Sequence, residues 1–179
     1  MASSEQGNTK AAPADRLSDF SRAILKAAGA DEATARDATR AMLHASIHGI
    51  DSHGVRLLPH YQAALRGGRL NGRPQVTFTR IKPGTGMLDA DHAHGARAMY
   101  EAVERATELA GETGIAAVAV SNSSHFGAAG AYTLELAGRG LGGMVFGNSD
   151  SLVRLHDGAK RFHGTNPISV AFPADGNPW

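Results

Sequence analysis

Apolar positions in the first third of the chain recur at helical spacing. The stretch "DRLSDFSRAILKAAG" places Leu17, Phe20, Ile24 and Leu25 on one face, with Gly29 as its stop. "DEATARDATRAMLHASIHG" repeats the pattern through Ala38, Met42 and Ala45, with Asp31 as N-cap, Glu32 in the first turn and Gly49 at the end. A third helix, "VRLLPHYQAALRGG", carries Leu57, Leu58, Tyr61 and Leu65. Proline fits a helix only in its first turn, so Pro59 puts the start of this helix near Arg56.

The period then changes. "QVTFTRI" alternates as a strand does, and "GMLDAD" reads as a short strand turned back on it. "HGARAMYEAVERATELAGETG" returns to helical spacing through Met99, Val103, Ala106 and Ala110. "IAAVAV" reads as a buried strand, "AAGAYTLELAGRG" as a helix and "LGGMVFGN" as a strand; a loop then leads to the apolar strand "ISVAFPA". The expected organisation is a flexible tail over 1–14, a helical domain over 15–73 and a β/α region over 74–179. This is an α/β (α+β) chain with no internal repeat.

Composition narrows the partners. Hydrophobic residues make up 42% and charged residues 20%, which suits a packed core. The formal net charge of +1, without a dense Lys/Arg stripe, gives no nucleic-acid footprint. No apolar run is long enough to span a bilayer, and "MASSEQGNTKAAPA" lacks the basic-then-apolar pattern of a signal peptide, so a cytoplasmic protein is expected. Cysteine is absent, which excludes disulfides, thiolate metal sites and a Cys nucleophile.

Four polar clusters stand at the ends of these elements: "DSHG" at 51–54, "SNSSHFGAAG" at 121–130, "GNSDS" at 147–151 and "HGTNP" at 163–167. Open sheets put ligands at the ends of their strands. Ser52, His53 and Gly54 precede a helix N-terminus, where backbone N–H groups favour anions. His125 lies on a strand-to-helix turn with Gly127 and Gly130 beside it, and a histidine exchanges protons near neutral pH. Ser and Asn before a helix also serve as ordinary caps, and "GTNP" is an ordinary turn signal. His44 and His48 have the spacing of a metal pair but no accompanying carboxylate motif, so no metal is expected. Neither the G-x-G-x-x-G fingerprint nor a P-loop is present.

In this order and at these separations, "GIDSHGVRLLPHY", "SNSSHFGAAGAY", "GNSD" and "GTNPISVAFPA" resemble the malate/L-lactate dehydrogenase family of non-Rossmann type. That family also includes ureidoglycolate, sulfolactate and diketogulonate enzymes and cyclic-imine carboxylate reductases. The resemblance implies a largely antiparallel mixed sheet beside a helical domain, and NAD or NADP as cofactor. It places Ser52 and His53 in the active site, makes His125 a proton-transferring residue, and sets Ser149 and Asp150 near the nicotinamide, with Asp150 available to raise a histidine's basicity. Asn148, Gly127, Thr165 and Asn166 complete the expected cofactor contacts. A substrate carboxylate calls for an Arg fork. Many relatives carry that Arg four residues after the His, where this chain has Leu57, so Arg56, one position earlier, is the expected anchor.

The implied reaction is hydride transfer between a nicotinamide and a 2-hydroxy, 2-oxo or imino carboxylate, with histidine as proton donor or acceptor. Relatives in the family are about twice as long, and this chain resembles their N-terminal half. Beyond Trp179 they continue into an Asp-x-Ala-Thr-Ser-like segment that helps to bind the cofactor. A second polypeptide completing the fold is therefore expected, in a homodimer or a dimer of two-chain units. The strand edges of "IAAVAV" and "ISVAFPA" would otherwise be bare. Proteolysis at "ADGNP", or a chain that keeps the fold as a non-catalytic or binding subunit, are the competing expectations.

Overall fold

A computed structural model of the chain describes residues 12–176, so most of the expected tail and Trp179 lie outside the described residues. The first helix, α1, spans Ala14–Ala27 and is followed by α2, Glu32–Ile47. The Asp31 side chain accepts the Thr34 N–H at 2.7 Å, the N-cap that the sequence called for. Two single 3₁₀ turns, Asp51–His53 and Val55–Leu57, lead into α3, Leu58–Arg66. Pro59 does lie in the first turn, but α3 begins at Leu58, because 55–57 close as a tighter turn. The Val55 N–H donates to Ser46 Oγ of α2 at 3.0 Å, tying this turn down.

Strands β1 (Thr77–Lys82) and β2 (Thr85–Asp89) form a hairpin, and α4 (Gly95–Thr113) crosses to β3 (Ala117–Ser121), which pairs parallel to β2. Helix α5 (Gly130–Gly138) precedes β4 (Gly143–Phe146). Two further strands, β5 (Val153–Arg154) and β6 (Arg161–His163), form a hairpin before β7 (Ile168–Ala171), which returns antiparallel to β4. The sequence reading had only a loop where β5 and β6 lie. Two or three residues are too few to show alternation, although Asp157, at φ 55, and Gly158 form the turn between them. The strands fall into three small sheets, β1-β2-β3, β4-β7 and β5-β6, with antiparallel pairing everywhere except β2-β3.

Three apolar clusters hold these elements. Leu25, Met42, Leu58, Tyr61 and Leu65 join α1, α2 and α3. Ala41, Tyr100, Val103, Tyr132, Leu136 and Val145 join α2, α4, α5 and β4. Leu88, Ala98 and Ala102, with Phe78, Val118 and Val120 against them, seat the first sheet on α4. Helix α2 is thus buried on two sides, which explains its small residues Ala35, Ala38, Ala41 and Ala45. On α1 the expected stripe is rotated: Ser21 is buried while Phe20 is 57% exposed.

One surface is left apolar. Across the β4-β7 pair, Phe146 faces Ile168 and Met144 faces Val170, and all four are exposed, as is Phe172 just beyond β7. The opposite side of the pair is packed: Val145 and Ala171 are buried, and Ser169 Oγ meets Thr133 Oγ1 of α5 at 2.8 Å.

Candidate active site

The 3₁₀ turn at 51–53, helix α3 and the 122–129 loop converge on one group of rings. Ser52 Oγ lies 2.8 Å from His53 Nδ1. The His53 ring stacks on the His125 ring, with centroids 5.4 Å apart and an interplanar angle of 28°. From α3, the Tyr61 hydroxyl lies 2.7 Å from His125 Nδ1. Ser52, His53 and His125, more than seventy residues apart in sequence for the two histidines, are therefore brought together.

The histidine loop is held from behind. Tyr132, fully buried on α5, donates its hydroxyl to the Phe126 carbonyl, and its ring packs against Tyr100 at 5.0 Å. On the other side the Gly95 N–H donates to Ser124 Oγ at 3.1 Å. A methyl group at Gly95 would collide with the Ser124 and His125 carbonyls, so only glycine lets the start of α4 come this close. These contacts hold the histidine loop from two sides.

Electrostatics favour an uncharged His125. Desolvation, followed by the neighbouring His53, His60 and Arg69, holds it below the ordinary histidine range, although the ring remains accessible to solvent. Tyr61 is buried, and burial pushes its phenol well above the ordinary tyrosine value, so it remains a neutral hydrogen-bonding group. Beneath them His94 is buried and held down to about 3, chiefly by desolvation and then by His125 and His60.

A second polar group forms a ledge. Ser149 N–H donates to Asn166 Oδ1 at 3.1 Å, and Thr165 N–H donates to Ser149 Oγ at 2.9 Å. Gly164 lies so close to Ser149 and Asn166 that a Cβ would not fit between them. Asn148 and Asp150 flank Ser149, both exposed. The ledge touches the histidine loop through Gly147, where a Cβ would come within 3.1 Å of the Phe126 ring. Gly127, at φ 81, has open space where a side chain would stand. Hydroxyls, amides and bare glycine backbone suit a polar dinucleotide, and Arg154 and Arg161, paired across β5-β6, add positive charge to the same end of the chain.

Tyr61, which the sequence marked only as part of an apolar helix face, is the group bonded to the His125 ring; Asp150 is exposed in the loop after β4. Arg56 is exposed on the second 3₁₀ turn, with no partner side chain among the described residues. The clue available in sequence was the phenol itself, because a buried tyrosine hydroxyl needs a partner.

The remaining histidines do other things. His44 and His48 stack at 4.2 Å, and no group of three metal-ligating side chains occurs among the described residues. They line a groove of about 580 Å³ between α1, α2, α4 and α5, whose arginines are already paired, Arg22 with Glu32, Arg36 with Asp37 and Arg40 with Glu135. Among the described residues no helix is long and apolar enough to cross a membrane.

Known proteins resemble this chain over most of its length. The family model described as malate/L-lactate dehydrogenase matches residues 12–179. Malate dehydrogenase from Pyrococcus abyssi is 38% identical over 167 residues, 93% of this chain and 46% of that protein. The NADP(+)-dependent (2R)-3-sulfolactate dehydrogenase of Chromohalobacter salexigens is 38% identical over 156 residues, 86% of this chain and 46% of that protein. Among solved structures, malate dehydrogenase from Pyrococcus horikoshii OT3 superposes with a TM-score of 0.89 at 33% identity, covering 97% of this chain and 51% of that one. The chain thus spans about half the length of these relatives.

Proposed function

The chain belongs to the malate/L-lactate dehydrogenase family, and from that premise we propose that it forms the acid–base half of an NAD- or NADP-dependent oxidoreductase acting on a 2-hydroxy, 2-oxo or imino carboxylate. The observation that carries this reading is the pairing of His125 with Tyr61 and His53 at one accessible corner. A nicotinamide, when bound, supplies or accepts the hydride; Asn148, Ser149, Thr165, Asn166 and the bare backbone at Gly127 would hold it.

His125 handles the proton. For oxidation of an alcohol, Nε2 accepts the hydroxyl proton, so the neutral ring carries its own hydrogen on Nδ1 and donates it to the Tyr61 oxygen. In reduction the imidazolium gives the Nε2 proton to the carbonyl oxygen, and the same Nδ1–H···O bond persists. Ser52 orients His53, which bounds the substrate space on the other side of His125. Arg56 is the proposed carboxylate anchor; Arg56→Lys keeps the charge, loses the planar fork, and should raise KM markedly. Asp150 acts from the ledge, near the nicotinamide.

The exposed β4-β7 face suits a second polypeptide, equivalent to the other half of the relatives, in a cytoplasmic homodimer or dimer of two-chain units. A dinucleotide needs pyrophosphate and adenine contacts as well as the ledge, so the 179-residue chain alone should bind cofactor weakly. Calorimetric titration of NADH and NADPH, into the chain alone and into the chain mixed with the C-terminal half of the Pyrococcus relative, tests this. Tight binding and turnover of 2-oxo acids only in the mixture is the expected result. Micromolar binding by the isolated chain would overturn the two-polypeptide reading, and cofactor binding in the mixture without turnover would favour a binding subunit.

A further inference from the structure

His94 is a buried histidine that the proton chemistry above does not use. It is the N-cap of α4, only 1% exposed. Its Nδ1 accepts the Ala96 N–H at 3.1 Å, so that nitrogen is unprotonated and the neutral ring carries its hydrogen on Nε2. Nε2 is buried and finds no conventional hydrogen-bond partner among the described residues. Leaving such a buried donor unpaired costs more than most capping side chains return. A Ser, Asp or Asn would cap the helix without that cost.

What the imidazole meets instead is Tyr61. The two rings stand nearly perpendicular, at 75°, with centroids 4.1 Å apart, in close edge-to-face contact. An N–H directed at an aromatic face is a weak hydrogen bond, and a His94 Nε2–H aimed at the Tyr61 ring would partly offset the missing partner. Tyr61 in turn meets His125 Nδ1. The next residue, Gly95, bonds Ser124 and packs on the His125 carbonyl. The first turn of α4 therefore grips both partners of the Tyr61–His125 bond, one through the His94 ring and the other through backbone. The groups facing His94 are Tyr61 and His60 from α3 and His125 from the loop; desolvation and the two histidines keep it neutral.

We propose that His94 is a positioning residue: locked in the Nε2–H tautomer by α4, it fixes the Tyr61 ring so that the Tyr61 oxygen accepts from His125 Nδ1–H and leaves Nε2 free for substrate. The catalytic part of this inference rests on the reading of His125 as the proton-transferring group; the tautomer coupling does not.

Imidazole ¹⁵N–¹H NMR of the histidine-labelled 179-residue chain tests it. In the unmodified protein His94 should show a protonated Nε2, shifted upfield by the Tyr61 ring, and His125 should be predominantly Nδ1–H. Two variants then separate cap from ring: His94→Asn keeps an acceptor for Ala96 N–H, and His94→Phe keeps the ring. Both should move His125 toward the Nε2–H tautomer that free imidazole prefers, as should Tyr61→Phe, and His94→Phe combined with Tyr61→Phe should add nothing to Tyr61→Phe alone. A His94 proton on Nδ1 or an Nε2–H with no ring-current shift, read in the unmodified protein, overturns the proposal even if neither variant folds. An unchanged His125 tautomer in a folded variant overturns it too. If His125→Ala left turnover intact in the completed enzyme while the tautomer coupling held, the catalytic reading would fail and the coupling would stand.

Discussion

Two ends of this molecule are finished to different degrees. Where α3, α4, α5 and the 122–129 loop meet, Tyr61, His94 and Tyr132 are buried, and the histidine loop is bonded from two sides. At the β4-β7 end, one face of a two-stranded sheet presents Met144, Phe146, Ile168 and Val170 to solvent. An isolated two-stranded pair is marginal by itself, and here its support comes from α5 on one side only. The difference teaches that packing among the described residues closes the corner around His125, whereas it leaves one face of the β4-β7 pair uncovered, the face proposed above to meet a second polypeptide.

The sharpest test of that contrast compares a truncation in each region. Tyr132→Ala removes a fully buried ring and should destabilise the chain by about 3–5 kcal/mol in urea unfolding. Phe146→Ala removes a ring that is 71% exposed and should change stability by no more than about 0.5 kcal/mol, while weakening association with the complementing half. Equal losses at the two positions would erase the distinction.

His125→Ala asks whether the closed corner is also the chemical one. In the completed enzyme, turnover should fall by about a hundredfold or more, the range for loss of a general acid–base group. His53→Ala should also reduce turnover, and the pH–rate profiles of the two variants show which ring titrates. With His125 lowered in the folded protein, kcat/KM for oxidation should hold to a pH below the ordinary histidine value and fall as the ring protonates.

Stability should follow pH in the same corner. The folded protein lowers the pKa of both His94 and His125, so the unfolded chain binds more protons as pH falls through the ordinary value of 6.5. Their contribution is complete above that value and is lost progressively toward about 3, where His94 titrates in the folded state. Urea midpoints should therefore decline between neutral pH and the onset of carboxylate protonation, and His94→Asn should flatten the slope. An effect smaller than that at Tyr132 lies far from both ends: Asp31→Ala removes the α2 N-cap and should cost about 1 kcal/mol without altering His125.

Much of this was legible along the chain. Helices α1, α2, α4 and α5 and strands β1–β4 and β7 announce themselves because their apolar residues repeat at the period of the element, and Asp31 and Pro59 mark helix starts by local backbone chemistry. The β5-β6 hairpin was missed because its strands are too short to carry a period. Ser52, His53 and His125 could be singled out because proton-exchanging and hydroxyl side chains cluster beside glycines at the ends of elements.

What the sequence determined by itself was the kind of chemistry available and the elements that carry it. Which groups touch was decided only by the tertiary structure. Tyr61 reads as one more apolar position on a helix, and its neutral phenol becomes a partner for His125 only when α3 packs under a loop 64 residues away. His94 reads as the first residue of a helical stretch; it becomes an uncharged ring under Tyr61 because the start of α4 is buried there. Periodicity and capping are local and leave their mark in the order of residues, but hydrogen-bond partners and desolvation depend on distances that exist only once the helices have docked.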